Sequence, residues 1–140
     1  MKTLSLAVIL ALLSLATPRA HALEPYVSGT ISVPLGISAG LGLKIRPSAP
    51  YSPVLEAEAG IGGGRLSLGL DSIRDSFGVG ARASLLKTWF EPVSADENVT
   101  YLGADLLAGY SSFIAHLGGY RRVEGRGDGW QVSAGLGWRF

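Results

Sequence analysis

The last eleven residues, Trp130-Gln131-Val132-Ser133-Ala134-Gly135-Leu136-Gly137-Trp138-Arg139-Phe140, decide the fold class of this chain. Every even-numbered residue of the stretch is apolar, and every odd-numbered residue is small or polar. Successive side chains of a β-strand point to opposite faces of its sheet. The period of two therefore predicts a strand with one wholly apolar face and one polar face.

The same alternation recurs along the chain after residue 22 and predicts eight strands. The predicted ranges are 25–33, 37–46, 53–62, 65–72, 76–88, 99–110, 113–122 and 130–140. Short connections at Gly63-Gly64, Ser72–Asp75 and Ser111-Ser112 are typical of hairpins. One alternative stays open: apolar parity continues through Pro34, so residues 25–46 form either two strands or one. The pattern predicts an all-β, antiparallel, up-and-down barrel.

Residues 1–22 have the features of a secretory signal peptide. Lys2 gives a positive start, Leu4–Leu15 is an apolar run, and Ala20-His21-Ala22 is a small-residue cleavage site. An uncleaved membrane anchor is disfavoured because the run is short. We expect cleavage after Ala22 and one barrel domain over residues 23–140. That part has ten basic and eleven acidic residues and no cysteine, which argues against nucleic-acid binding and disulfides.

The polar faces of the predicted strands are rich in glycine and nearly balanced in charge. Small residues with paired charges fit the crowded interior of a narrow barrel, where an unpaired charge would be costly. The sequence therefore predicts one interior charge network formed by Lys44, Glu56, Glu58, Arg65, Asp71, Arg82, Asp105, His116 and Arg139. Within it, Arg82 and Asp105 have the same inward parity on neighbouring strands and are predicted to be direct partners.

The opposite faces carry Leu, Ile, Val and Ala, with aromatic residues near the strand ends. This arrangement is typical of a transmembrane barrel, whose apolar band is bordered by aromatic girdles. The predicted girdle consists of Tyr26, Trp89, Tyr101, Tyr110, Trp130 and Trp138. The alternative is a soluble exported barrel that binds a small apolar ligand. That alternative requires the apolar faces to point inward.

These features resemble the small eight-stranded outer-membrane β-barrels of Gram-negative bacteria, the OmpA/OmpX type. Leu136, Trp138 and the terminal Phe140 are similar to the C-terminal signal that the barrel-assembly machinery recognises in such proteins. Gly118-Gly119-Tyr120-Arg121, with the acidic glycine-rich loop after it, is faintly similar to YfaZ-like barrels. The resemblance implies an outer-membrane location, contact with the lipid bilayer and lipopolysaccharide, and both termini in the periplasm. It also implies a structural or surface-interaction role.

Each candidate for chemistry has a simpler structural explanation. Outer-membrane lipid A deacylases carry a His-x-Ser pair on one strand, but the second residue after His116 is Gly118. Glu56 and Glu58 could serve acid–base chemistry or a metal, yet pairing with interior cations accounts for them. Residues 78–83 match a dinucleotide-binding glycine pattern but continue as a strand instead of turning into a helix. We predict no enzyme activity, no cofactor and no metal site.

Overall fold

The computed structural model describes residues 23–45, 50–74, 76–124 and 129–140, and this part of the chain is all-β. The predicted signal peptide lies outside the described residues. The eight strands are β1 Leu23–Val33, β2 Gly36–Ile45, β3 Tyr51–Gly60, β4 Gly63–Arg74, β5 Phe77–Thr88, β6 Thr100–Tyr110, β7 Phe113–Glu124 and β8 Trp130–Arg139. Each strand pairs antiparallel with its neighbours in chain order, and β8 pairs with β1. The predicted eight-stranded antiparallel barrel is confirmed, and the described residues 25–45 belong to two strands.

The described part of the chain contains no helix of the length and hydropathy needed to cross a membrane.

The turn between β3 and β4 lies at Ile61 and Gly62, so the predicted turn at Gly63-Gly64 is wrong. Gly63 and Gly64 begin β4 and pair with the end of β3. A Cβ on Gly63 would overlap the carbonyl oxygen of Lys87. Gly63 and Gly64 therefore allow neighbouring parts of the chain to pack closely, and they do not form the turn. The Ser72–Asp75 turn is also misplaced, because β4 continues through Arg74. The turn at Ser111-Ser112 is confirmed.

Polar side chains occupy the inside of the barrel and apolar side chains the outside. The buried residues of the described part of the chain include sixteen polar or charged ones and seven hydrophobic ones other than proline. Thirty large hydrophobic side chains of the described residues are exposed. On β6, for example, Asp105 is 2% exposed and the next residue, Leu106, is 67% exposed. The alternation in the sequence therefore corresponds to side chains that point in turn into the lumen and to the outer surface.

Glycines on the lumen faces leave room for the large side chains of the neighbouring strands. Six such cross-strand pairs are Tyr26 with Gly42, Asp71 with Gly80, Arg82 with Gly69, Asp105 with Gly118, Tyr120 with Gly103, and His116 with Gly135. A Cβ on any of these glycines would overlap atoms of its partner. The high glycine content of the polar face is thus a packing requirement of a narrow lumen.

One end of the barrel is closed by an apolar plug, which consists of Leu35, Leu86, Val99, Tyr101 and Tyr120. The connection between β5 and β6 folds over this plug. The amide of Val93 donates to the carbonyl oxygen of Pro34 at 3.0 Å, and Thr88 Oγ1 donates to the carbonyl oxygen of Asp96 at 2.6 Å. At the opposite end, which we call the mouth, lie the start of β1 and the end of β8.

Candidate functional site

The part of the lumen beside the plug holds a cluster of three charged and four hydroxyl-bearing residues. This inner cluster consists of Glu58, Arg65, Asp105, Thr30, Ser38, Ser84 and Tyr120. The Arg65 guanidinium forms ion pairs with Glu58 and, at 3.4 Å, with Asp105. Hydroxyl groups supply the remaining donors. Ser84 and Tyr120 donate to Asp105 Oδ2 at 2.6 and 2.5 Å, and Thr30 and Ser38 donate to Glu58 Oε1 at 2.5 Å.

A second cluster lies nearer the mouth. This mouth cluster consists of Tyr26, Lys44, Glu56, Asp71, Arg82 and Arg139. Arg82 forms ion pairs with Glu56 and, at 3.3 Å, with Asp71. Arg139 Nη1 donates to Asp71 Oδ2 at 2.9 Å, and Lys44 Nζ lies 3.9 Å from the same oxygen. Three basic groups thus share two carboxylates within this cluster, whereas the inner cluster has one basic group for two. A further carboxylate, Glu24, lies opposite Lys44 in the β1–β2 register.

Arg82 and Asp105 belong to different clusters, so the predicted direct partnership between them is wrong. They face each other in the β5–β6 register, but Arg82 extends to Glu56 on β3 and Asp71 on β4. Parity fixes the face on which a side chain lies. It does not fix how far a long side chain reaches along or across the lumen, and that distance decides the partner.

His116 lies inside the barrel and contacts a serine that the sequence analysis did not find. Its Nε2 atom is 3.2 Å from Ser133 Oγ on β8. Ser133 lies on the neighbouring strand and not two residues after His116, where a His-x-Ser pair on one strand would place a serine. Both side chains are buried, which is consistent with a structural hydrogen bond in the lumen. The described residues include no group of three or more metal-ligating side chains placed to hold a metal ion.

Two of the six predicted girdle residues are lumen residues, and for them the prediction is wrong. Tyr26 and Tyr101 are 6% and 2% exposed. Tyr26 donates to Glu56 Oε2 at 2.6 Å, and the Tyr101 ring lies 5.9 Å from the Arg122 guanidinium carbon. Both lie at positions of their strands whose side chains point into the lumen, so the alternation in the sequence indicates that they are buried. The other four predicted residues are exposed on the outer surface: Trp89, Tyr110, Trp130 and Trp138.

The C-terminal residues Leu136, Trp138 and Phe140 all point outward. The backbone of Phe140 also closes the barrel, because its amide and carbonyl groups both bond to Val27 at 2.8 Å. Tyr120 was missing from the predicted network although it is fully buried in it. Two features of the sequence indicate this location: Tyr120 has the same alternation as the other lumen residues of β7, and a glycine, Gly103, lies opposite it.

A cavity of about 430 Å³, which we call the vestibule, lies at the mouth end of the lumen. Residues of the mouth cluster line one side of it, and Leu107 and Ile114 line the other. Its volume is in the range of small-molecule sites.

No protein-family profile matches the chain, and no curated protein or solved structure shows significant similarity to it. The geometry of the barrel is therefore the basis for assigning a function.

Proposed function

We propose that this protein is a small transmembrane β-barrel of a bacterial outer membrane, with a structural or surface-interaction role. The observation that carries the proposal is the inverted polarity of the barrel, with charges inside and thirty exposed large hydrophobic side chains. Soluble monomers rarely expose contiguous apolar patches above a few hundred Å². In a bilayer the same surface is favourable, and a closed barrel satisfies its backbone hydrogen bonds internally.

The lengths of the strands and the positions of the aromatic residues support this proposal. The eight strands have 10–12 residues, and a tilted strand needs about 9–11 to cross a bilayer. Outward aromatic side chains lie near both ends of the barrel. Trp89 and Trp130 are near the plug, whereas Tyr110 and Trp138 are near the mouth. Such bands mark the two membrane interfaces in known barrels.

The filled lumen supports a role other than general diffusion or catalysis. Eight strands enclose a space only wide enough for side chains. Here the two ion-paired clusters occupy much of that space beside the vestibule, and the apolar plug closes one end. By the orientation that the family resemblance implies, the mouth faces the periplasm and the plug faces outward. The outer wall would then contact lipid and lipopolysaccharide, and Leu136, Trp138 and Phe140 would guide insertion by the barrel-assembly machinery.

The alternative function is that of a soluble exported barrel with an apolar ligand. It requires an apolar interior, whereas sixteen of the buried residues here are polar or charged. The distribution of polarity therefore favours the membrane protein.

Cell fractionation with a gel-mobility assay tests the location. We expect the chain in the outer-membrane fraction of a Gram-negative host, and a shift in its mobility on SDS gels after boiling. In planar bilayers we expect no stable pore conductance. Recovery as a soluble periplasmic protein without a boiling shift would overturn the membrane proposal, and steady large conductance would overturn the closed interior.

An arginine substitution tests the outer face independently. Leu106→Arg places a charge near the middle of the outer wall and should destabilise the lipid-inserted barrel by about 2–4 kcal/mol. Val123→Arg is the matched control, because Val123 lies near a strand end on an outward face that already carries Arg121. If both substitutions lower the free energy of unfolding in lipid vesicles by the same amount, the result would argue against a membrane-embedded wall.

A further inference from the structure

The two walls of the vestibule differ in chemistry. One wall carries charged and hydroxyl-bearing side chains from four strands. They are Glu24 and Tyr26 of β1, Lys44 of β2, Asp71 of β4 and Arg139 of β8. Strands β5, β6 and β7 contribute Leu107, Ile114 and lumen-facing glycines. Leu107 and Ile114 are half-buried on the lumen faces of their strands. Aliphatic side chains are exceptions in this lumen, and neither the charge clusters nor the plug uses these two.

The polar wall contains buried donor groups that have no acceptor. Arg139 Nε and Arg139 Nη2 are buried and have no hydrogen-bond acceptor among the described residues, and the same holds for Arg82 Nε, which belongs to the mouth cluster but does not line the vestibule. Arg139 Nη2 lies 3.8 Å from Glu56 Oε2, which is too long for a hydrogen bond. The carboxylate of Asp71 already accepts from both arginines. A buried donor without an acceptor is costly, so an additional acceptor oxygen would complete this cluster.

The inner cluster is different, because every polar side-chain atom in it that is buried has a partner. The buried donors without an acceptor therefore belong to the mouth cluster and not to the inner cluster. The Arg139 guanidinium is held in place at the cavity wall, since its carbon lies 4.6 Å from the centre of the Tyr26 ring.

We propose that the vestibule binds a small, water-soluble amphiphilic anion, in which a carboxylate, phosphate or sulfonate group is attached to a short apolar segment. The anionic group lies beside Arg139 and Lys44 and supplies the missing acceptors. The apolar segment lies against Leu107 and Ile114. The barrel wall separates the vestibule from the outer surface, so the ligand enters from water through the mouth. The proposal requires only the barrel and not its membrane location.

Three simple probes separate the contributions of charge and apolar contact. They are hexanoate, acetate and hexylammonium, which are titrated into the protein expressed from the full-length sequence and purified in zwitterionic micelles. The readout is NMR of the Arg139 Nε–H group and of the backbone amides of Leu107 and Ile114. We expect saturable shifts with hexanoate, about tenfold weaker binding of acetate because it leaves the apolar wall uncovered, and no saturable shift with hexylammonium. The outward Leu117 amide reports non-specific partition into micelles and should not respond.

Variants test each wall separately. Leu107→Ser should reduce the preference for hexanoate over acetate without removing acetate binding. Glu24→Gln should tighten the binding of both anions, because it removes a negative charge at the cavity. Lys87→Gln is the matched control, since Lys87 is an exposed cation at the plug end, and it should leave both affinities unchanged. Arg139→Gln should abolish the binding where that variant folds.

Three results would overturn the proposal. The first is equal affinity for hexylammonium and hexanoate, which would show that the site does not select anions. The second is an unchanged hexanoate preference in Leu107→Ser. The third is the absence of any saturable shift at Arg139. None of these outcomes depends on whether the barrel is found in the outer membrane.

Discussion

The inner cluster and the mouth cluster use similar ionisable groups in different proportions. The inner cluster has one guanidinium for two carboxylates, and hydroxyl groups satisfy the remaining carboxylate oxygens. The mouth cluster has three basic groups for two carboxylates. Serine, threonine and tyrosine can replace a cation as donors, but in a barrel wall the backbone carbonyls are committed to strand pairing. A surplus of donors therefore needs a ligand or water, whereas a surplus of acceptors is satisfied within the protein.

The largest expected difference between the clusters is the cost of removing one arginine. Arg65→Ala removes the basic partner that Glu58 and Asp105 share within the described part of the chain, and we expect a loss of about 3–5 kcal/mol. Arg139→Ala should cost less, about 1.5–3 kcal/mol, because Asp71 keeps its ion pair with Arg82. Urea unfolding of the two variants in lipid vesicles measures the difference. Equal losses would show that the clusters are equivalent.

Glycine substitutions test how tightly each region is packed. Gly103→Ala would place a Cβ on Tyr120 and on the carbonyl oxygen of Gly119, and overpacking of this kind costs about 1–3 kcal/mol. Gly109→Ala, at the vestibule, should cost less because its nearest contact is 3.0 Å away. Gly119→Ala is the outward control with no atom within 4 Å. The losses of unfolding free energy should decrease in that order, and a larger loss for Gly109→Ala than for Gly103→Ala would contradict the difference in packing.

A pair of double-mutant cycles tests the separation of the two clusters. Arg82 and Glu56 are direct partners, so their coupling energy should be about 0.5–3 kcal/mol. Arg82 and Asp105 are neighbours in the register but belong to different clusters. We expect their coupling to be below about 0.5 kcal/mol. A larger coupling for the second pair would show that the lumen is one network.

Among the direct ion pairs, the smallest coupling is expected between Lys87 and Glu124, whose Nζ and Oε2 atoms are 3.6 Å apart and whose side chains are both exposed. The coupling between them should be about 0.2–1 kcal/mol. It should also decrease as salt is raised, whereas the coupling of Arg82 with Glu56 should change little. The same cycles repeated at low and high salt measure this. A strong salt dependence of the lumen pair would indicate that the mouth cluster is open to solvent.

The alternation of polar and apolar residues along the sequence predicted most of the fold, but the assignments of two tyrosines and of the turn after β3 were wrong. It predicted eight strands and the lumen-facing positions of the charged residues. The same parity places Tyr26 and Tyr101 inside, but aromatic residues near strand ends suggested a girdle and led to the opposite assignment. The turn after β3 was misplaced because adjacent glycines have two uses, tight turns and close packing. The sequence pattern does not distinguish them.

The sequence by itself determined the class of the molecule, because a period of two in polarity can be satisfied only by strands with two unlike faces. It also determined which residues share the polar face. Only the tertiary structure decided which of them meet, because closing β8 onto β1 fixes the stagger of all eight strands and hence the level of each side chain in the lumen. The pairing of Arg82 with Glu56 and not Asp105 and the vestibule follow from that closure, whereas the contact of His116 with Ser133 follows from the register of β7 and β8.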